Sequence, residues 1–169
     1  MYCRKITLFF ISVLLSTNAF ALKNDREQPI LIESDKATID NIKRVAIYEG
    51  DVIVTQGSIH INADTVTLNY TEKQDIEKVI AVGQPARFKQ RLEGGDEIKA
   101  KARQMEYNAI KDTLHLTIEA ELRKEKDGKD IYTSNAPRII YDTQRGIIKA
   151  DKGRVFVKIQ PQRKSNPKK

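Results

Sequence analysis

Only one cysteine occurs in the 169 residues, Cys3, and it lies in the first few positions. The rest of the chain therefore offers no thiol for a disulfide, a zinc knuckle, a nucleophile or a lipid attachment. Tryptophan is absent and there are only two histidines, His60 and His115, far apart in sequence and without a local His or Cys partner. No glycine-rich loop precedes a helix pattern, and no serine elbow occurs, so the usual phosphate cradle and hydrolase signatures are missing. No amphipathic helix of useful length is visible. No apolar run beyond the N-terminus is long enough to span a membrane.

The N-terminus itself is different. Arg4 and Lys5 give a positive start, residues 6–15 are apolar, and Ala19-Phe20-Ala21 fits a small-x-small cleavage rule. The run is too short for a membrane span and reads as a secretory signal peptide over residues 1–21, cleaved near Ala21. An exported domain over 22–160 without disulfides must be held by sheet and core alone. Residues 161–169 lose all pattern and read as a disordered basic tail. Net charge is +7, of which Arg4 and Lys5 contribute two. Such a balance favours anionic partners, and export makes nucleic acid the least suitable.

What is present is β pattern. In the stretch Tyr48 to Asp64, Val52 and Val54 alternate with Ile53 and Thr55, Gln56-Gly57-Ser58 makes a turn, and Ile59 and Ile61 alternate with His60 and Asn62. Period-two spacing on both sides of a glycine predicts a hairpin. A phrase then recurs from Ser34, Ala63, Ala102 and Ala136: small, x, x, apolar, x, apolar, Asn or Asp. It closes on Asp40, Asn69, Asn108 and Asp142, and its irregular spacing predicts a repeated hairpin unit with variable loops. A second apolar strand follows each phrase and then, usually, a glycine: Gly50, Gly83 and Gly153. The third copy has Ile118-Glu119 there, and a different turn geometry is expected of it.

Inward parity slips by one within each phrase, which a straight strand cannot do. A bend is expected near Asp35-Lys36, Asp64-Thr65, Arg103-Gln104 and Pro137-Arg138, where strands pass from one sheet to a facing one. Gly94-Gly95 and Asp127-Gly128 signal hairpin turns. Residues 71–78 are polar and read as loop.

Catalysis has little material. Glu33, Asp35 and Asp64 are a conceivable acid–base cluster, but they recur at the expected bends, where turn capping is the simpler role. Arg87, Lys89 and Arg91 alternate around Phe88 like a nucleic-acid strand; in an exported chain a solvated face over a buried Phe88 is favoured. The apolar flank of Ile32, Ile61, Val66, Leu68, Phe88, Met105, Tyr107, Leu116, Ile139 and Tyr141 has two readings. It is a self-filled core, which composition favours, or an elongated groove for acyl chains, where each buried methylene yields about 0.8 kcal/mol.

Several strings settle the comparison. Gln28-Pro29-Ile30-x-Ile32-Glu33-Ser34-Asp35, Tyr48-x-Gly50-Asp51-Val52-Ile53-Val54-Thr55-Gln56-Gly57, Ile61-Asn62-Ala63-Asp64 and Gly83-x-Pro85-Ala86-x-Phe88 resemble the LptA-type, OstA-like family of periplasmic lipopolysaccharide-transport proteins. The resemblance runs over nearly all of the mature chain. It departs at Ile118-Glu119, where the family usually has Gly-Asn. It implies an all-β fold, an elongated twisted open β-jellyroll of stacked antiparallel strands. It implies a non-enzymatic, cofactor-free periplasmic carrier whose apolar flank takes the lipid A part of lipopolysaccharide. It also implies end-to-end joining with like copies, with the membrane-anchored LptC and with the N-terminal domain of LptD. The joining strands would be the one holding Ile30, Leu31 and Ile32 and the one holding Val155, Phe156 and Val157. An exported sandwich gripping acidic polysaccharide is the alternative, thinly supported by six tyrosines and no tryptophan.

Overall fold

The computed structural model describes residues 25–161. The expected leader and residues 162–169 of the tail lie outside the described residues. A 3₁₀ turn, Asp25–Glu27, precedes ten strands: β1 (Ile30–Glu33), β2 (Lys36–Asp40), β3 (Val45–Gln56), β4 (Ile59–Tyr70), β5 (Ile76–Arg91), β6 (Glu97–Asn108), β7 (Thr113–Lys126), β8 (Lys129–Asp142), β9 (Ile147–Asp151) and β10 (Phe156–Ile159). All pair antiparallel in one sheet of order β1-β3-β4-β5-β6-β7-β8-β10, with β2 also on β3 and β9 also on β8.

The long strands are bent at mid-length. The pairing register breaks between Glu49 and Val52, Asn62 and Thr65, Val82 and Ala86, Lys101 and Gln104, and Thr117 and Ala120. At the two ends the break is complete: Glu33 ends β1 and Lys36 begins β2, and β9 and β10 pair with opposite halves of β8. These are the bends that the parity slip predicts. The buried set shows the slip directly, from Ala63 to Val66 in β4, Ala102 to Met105 in β6 and Ala136 to Ile139 in β8. Folding every strand at the same level turns one sheet into two facing layers, and their buried apolar side chains form a single cluster. This is the all-β open jellyroll of stacked antiparallel strands.

Two expectations need correcting. Gly50 and Gly83 do not close turns between strands. They sit at the corners inside β3 and β5, which run on through the bend. The third copy is no exception either. Ile118 and Glu119 hold φ of 64° and 59°, the left-handed conformation that Gly50 and Asp51 hold at 84° and 40°. The copy that departs is the second, because Gly83 is not at positive φ. There a Cβ would meet the Ala86 amide nitrogen at 2.8 Å, so glycine serves close approach instead. The loop expected over 71–78 is shorter, since Ile76 packs partly buried against the core and pairs with Tyr70, pulling Ile76–Lys78 into β5.

The turns follow their residues. Asp127-Gly128 takes φ of 51° and 71° between β7 and β8, the primed-turn pattern that suits strand twist. Gly94-Gly95 joins β5 to β6 with both φ near 90°. The residue that closes each phrase caps the following turn in three copies. Asp40 accepts from the Lys43 amide (2.9 Å), Asn108 from the Ile110 and Lys111 amides (3.1 and 2.9 Å), and Asp142 from the Gln144 and Arg145 amides (3.1 and 2.7 Å). In the second copy, Thr71 replaces Asn69 as the acceptor, taking the Lys73 and Asp75 amides.

Candidate lipid-binding interior and joining edges

Each rung contributes inward side chains because a strand presents alternate residues to each face. Across the second layer the row Ile39, Ala46, Leu68, Val79, Tyr107, Leu114, Tyr141, Ile148 is unbroken, and so is its neighbour Ala37, Tyr48, Val66, Ala81, Met105, Leu116, Ile139, Ala150. In the first layer Ile32, Val54, Ile61, Phe88, Ala100, Leu122, Ser134 and Val157 align in the same way. All ten residues assigned to the apolar flank therefore reach one interior. Ile61, Val66, Leu68, Phe88, Met105, Leu116, Ile139 and Tyr141 are buried, and Ile32 and Tyr107 pack partly buried at its margin.

The middle of this interior is closed by its own side chains: Val66, Leu116 and Ile139 have no exposed surface and Phe88 keeps 7%. Free inward-facing apolar surface lies elsewhere. Part of it is at or near the strand ends, on the half-buried Ile59, Tyr70, Ile76, Leu92, Tyr107 and Tyr132. Burial first, then the neighbouring Tyr48, raises the Tyr70 phenol above its ordinary range. The remainder is at the two termini of the stack, where Ile39 is 64% and Ile159 72% exposed. Of these, only Tyr107 belongs to the ten-residue flank expected from the sequence.

Both termini carry strand edges without a neighbour among the described residues. Ile30, Leu31 and Ile32 form the edge β1, as expected, and Phe156 and Val157 lie in the edge β10 with Val155 just before it. The bend doubles each edge. β2 lies beside β1 at one end, and β9 beside β10 at the other.

The outer face of the first layer is charged. His60, Lys89, Lys99 and Arg123 lie side by side across β4 to β7, with Arg87 and Lys101 in the next row. Phe88 points inward, so the alternation around it is a solvated face over a core residue. Most of the cations are matched. Glu97 serves Lys89, Arg91 and Lys99, Glu125 serves Lys99, and Glu121 serves Lys101 and Arg123. The carboxylates at Asp35 and Asp64 sit at corners, and among the described residues no group of three or more His, Cys, Asp or Glu is placed to hold a metal ion.

The profile of the family described as LptA/(LptD N-terminal domain) LPS transport protein matches residues 31–147. The chain belongs to this family. It is 36% identical over 161 residues to the lipopolysaccharide export system protein LptH of Pseudomonas aeruginosa, covering 89% of each chain. It is 38% identical over 149 residues to LptA of Haemophilus influenzae, covering 87% of this chain and 84% of that one. The crystal structure of LptH, described as the LptA homologous periplasmic component of the lipopolysaccharide transport device of P. aeruginosa, superposes with a TM-score of 0.73 at 34% identity. The match spans 81% of this chain and 99% of that one.

Proposed function

We propose that this chain is a periplasmic carrier of lipopolysaccharide and one segment of a bridge that leads it from the inner to the outer membrane. The observation that carries the reading is where free apolar surface lies. Inward-facing apolar side chains are exposed at the two termini of the stack, beside strand edges left unpaired in both layers. Such a terminus is completed by another rung. Each layer has eight strand positions, β1-β3-β4-β5-β6-β7-β8-β10 in one and β2-β3-β4-β5-β6-β7-β8-β9 in the other. The number is even, so a copy added head to tail meets its neighbour antiparallel in both layers. Edge pairing then supplies the backbone bonds, and the interior continues from one copy to the next. Partners of the same fold, the membrane-anchored LptC and the N-terminal domain of LptD, would dock on the same edges.

Lipid A acyl chains would lie against Ile32, Ile61, Val66, Leu68, Phe88, Met105, Tyr107, Leu116, Ile139 and Tyr141, entering from the half-buried strand ends and parting the closed middle. At about 0.8 kcal/mol per buried methylene, a few chains offset the side-chain contacts they displace. The reading assigns the chain no chemistry: it binds and passes on. Acidic polysaccharide on the outer face is less favoured, since most of the cations there already have carboxylate partners.

A photo-crosslinking side chain at Phe88, compared with one at Lys101 on the outer face, tests this in cells making lipopolysaccharide. Adducts at position 88 are expected and none at 101. Adducts confined to the outer face would reject the interior as the carrying surface.

A further inference from the structure

One outward row of the second layer carries charge only at its two termini, in an order that selects how copies join. It runs Lys36, Glu49, Thr65, Val82, Gln104, Thr117, Arg138, Asp151, each residue directly opposite the next. Its centre is uncharged. Its head is a cation then an anion, with Lys36 Nζ 2.7 Å from Glu49 Oε2. Its tail is also a cation then an anion. Arg138 grips Asp151 with both Nε (2.6 Å) and a terminal guanidinium nitrogen. The edge residues are thus Lys36 on β2 and Asp151 on β9.

From this order we infer that Lys36 and Asp151 form an intermolecular ion pair that specifies head-to-tail joining of two copies of this chain and fixes its register. The inference rests on the end-to-end assembly proposed above. Every neighbouring pair in the layer continues this row without offset, and a second copy that does the same places Asp151 beside Lys36 of the next copy. The joint then reads Arg138, Asp151, Lys36, Glu49, alternating in sign across the boundary. The same register sets inward Ile148 against Ile39 and Ala150 against Ala37. A one-residue slip would turn these side chains outward. A two-residue slip would leave one isoleucine against alanine and the other without a partner. Joining head to head or tail to tail cannot form the Lys36–Asp151 pair, because each such joint holds only one of the two edges. A contact available to one arrangement alone favours that arrangement. Each edge charge keeps its own in-chain partner, so a free terminus stays soluble and is never an isolated charge.

The test uses two variants of the exported chain, Lys36→Asp and Asp151→Lys, with association followed by sedimentation velocity over a range of concentrations. Wild type should grow by addition of whole copies. Each variant alone presents like charges at the joint and should need at least about tenfold higher concentration to associate. An equimolar mixture presents opposite charges at both kinds of joint and should recover wild-type association as an alternating chain. That rescue separates the pair from local damage to either fold, because misfolding in one variant is not repaired by the other. A second arm introduces one cysteine per chain, at Thr38 or at Lys149, which face each other in the inferred register. Oxidation should give the mixed 38–149 dimer in preference to 38–38 or 149–149. If single variants associate like wild type, or the mixture stays apart, the ion pair is overturned while end-to-end joining stands. If wild type remains a monomer throughout, both fall.

Discussion

Asp35 lies directly over Gly50: its amide donates to the Gly50 carbonyl at 3.2 Å, and its carboxylate fills the space that a Cβ on Gly50 would take. This contact pins the corner between β1 and β2 onto the bend of β3, so both layers are tied together at the head of the stack. Gly50 is required twice over, by its φ of 84° and by the approach of Asp35. Gly50→Ala should cost about 1–2 kcal/mol from the left-handed backbone alone, more once Asp35 is displaced. Thermal unfolding should show the melting point falling by at least about 2–4 °C. Asp35→Gly in the same background should recover part of the loss, since it removes the carboxylate and the Asp35 Cβ, 2.8 Å from the added methyl, and leaves the backbone penalty.

The corresponding corner of the third repeat points the other way. Ile118 is a β-branched residue at φ of 64° with half its surface exposed, so it bears the strain of the left-handed region and gains little from burial. Ile118→Gly should stabilise the protein by about 1 kcal/mol through relief of that strain, against a smaller loss from greater freedom of the unfolded chain. A raised melting point with unchanged secondary structure is the expected result. A fall would mean that the Ile118 side chain makes contacts that outweigh its backbone.

Much of this architecture was legible because the repeat writes its geometry in residue classes. The parity slip at Ser34, Ala63, Ala102 and Ala136 marks four of the bends, and the closing Asp or Asn caps the next turn in three of the phrases, at Asp40, Asn108 and Asp142. What stayed hidden depends on the third dimension. Nothing in local pattern says that β3 runs unbroken through Gly50, because a bulge and a turn use the same glycine. The Ile118-Glu119 corner was misjudged because propensity says what a residue prefers, and tertiary pairing on both sides overrode that preference. Val66, Leu116 and Ile139 share one row of the second layer, and their complete burial needs the facing layer as well; alternation in one strand cannot report the distance to that layer. The doubled edges at Ile39 and Ile148 followed from the bend, but only once its position in β1–β2 and β9–β10 was known.

Asp25 supplies a separate handle on the head of the stack. Its carboxylate accepts the Ser58 amide (2.7 Å), the Ser58 hydroxyl (2.9 Å) and the Gln90 side-chain amide (3.1 Å), clasping the segment before β1 onto the β3–β4 hairpin tip. Asp25→Ala strands these partly buried donors and should cost about 1–3 kcal/mol. The loss should be local. Hydrogen exchange at the Ser58 amide is expected to accelerate strongly, with little change at amides in the middle of β6. Uniform acceleration everywhere would show that the clasp is part of the global fold.

The outer charge network sets the response to acid. Burial would raise the Glu121 carboxyl, but hydrogen bonds from Asn135 and Lys101 and the nearby charges of Lys101 and Arg123 outweigh it and hold the carboxyl below its ordinary value of 4.5. A depressed folded-state value means that the ionised form favours folding. That contribution is complete above the unfolded value and disappears as pH falls through the folded one. Glu97 shifts in the same direction: burial again opposes, and Lys89, Lys99 and Arg91 prevail. Urea unfolding should therefore show stability flat from neutral pH to about 5 and falling below about 4.5. Glu121→Gln should be less stable than wild type at pH 7, with the difference shrinking towards zero as the acid limb is descended. A difference that persists undiminished at pH 3 would mean that the glutamate acts by shape and hydrogen bonding alone, and that its charge contributes nothing to holding β6, β7 and β8 together.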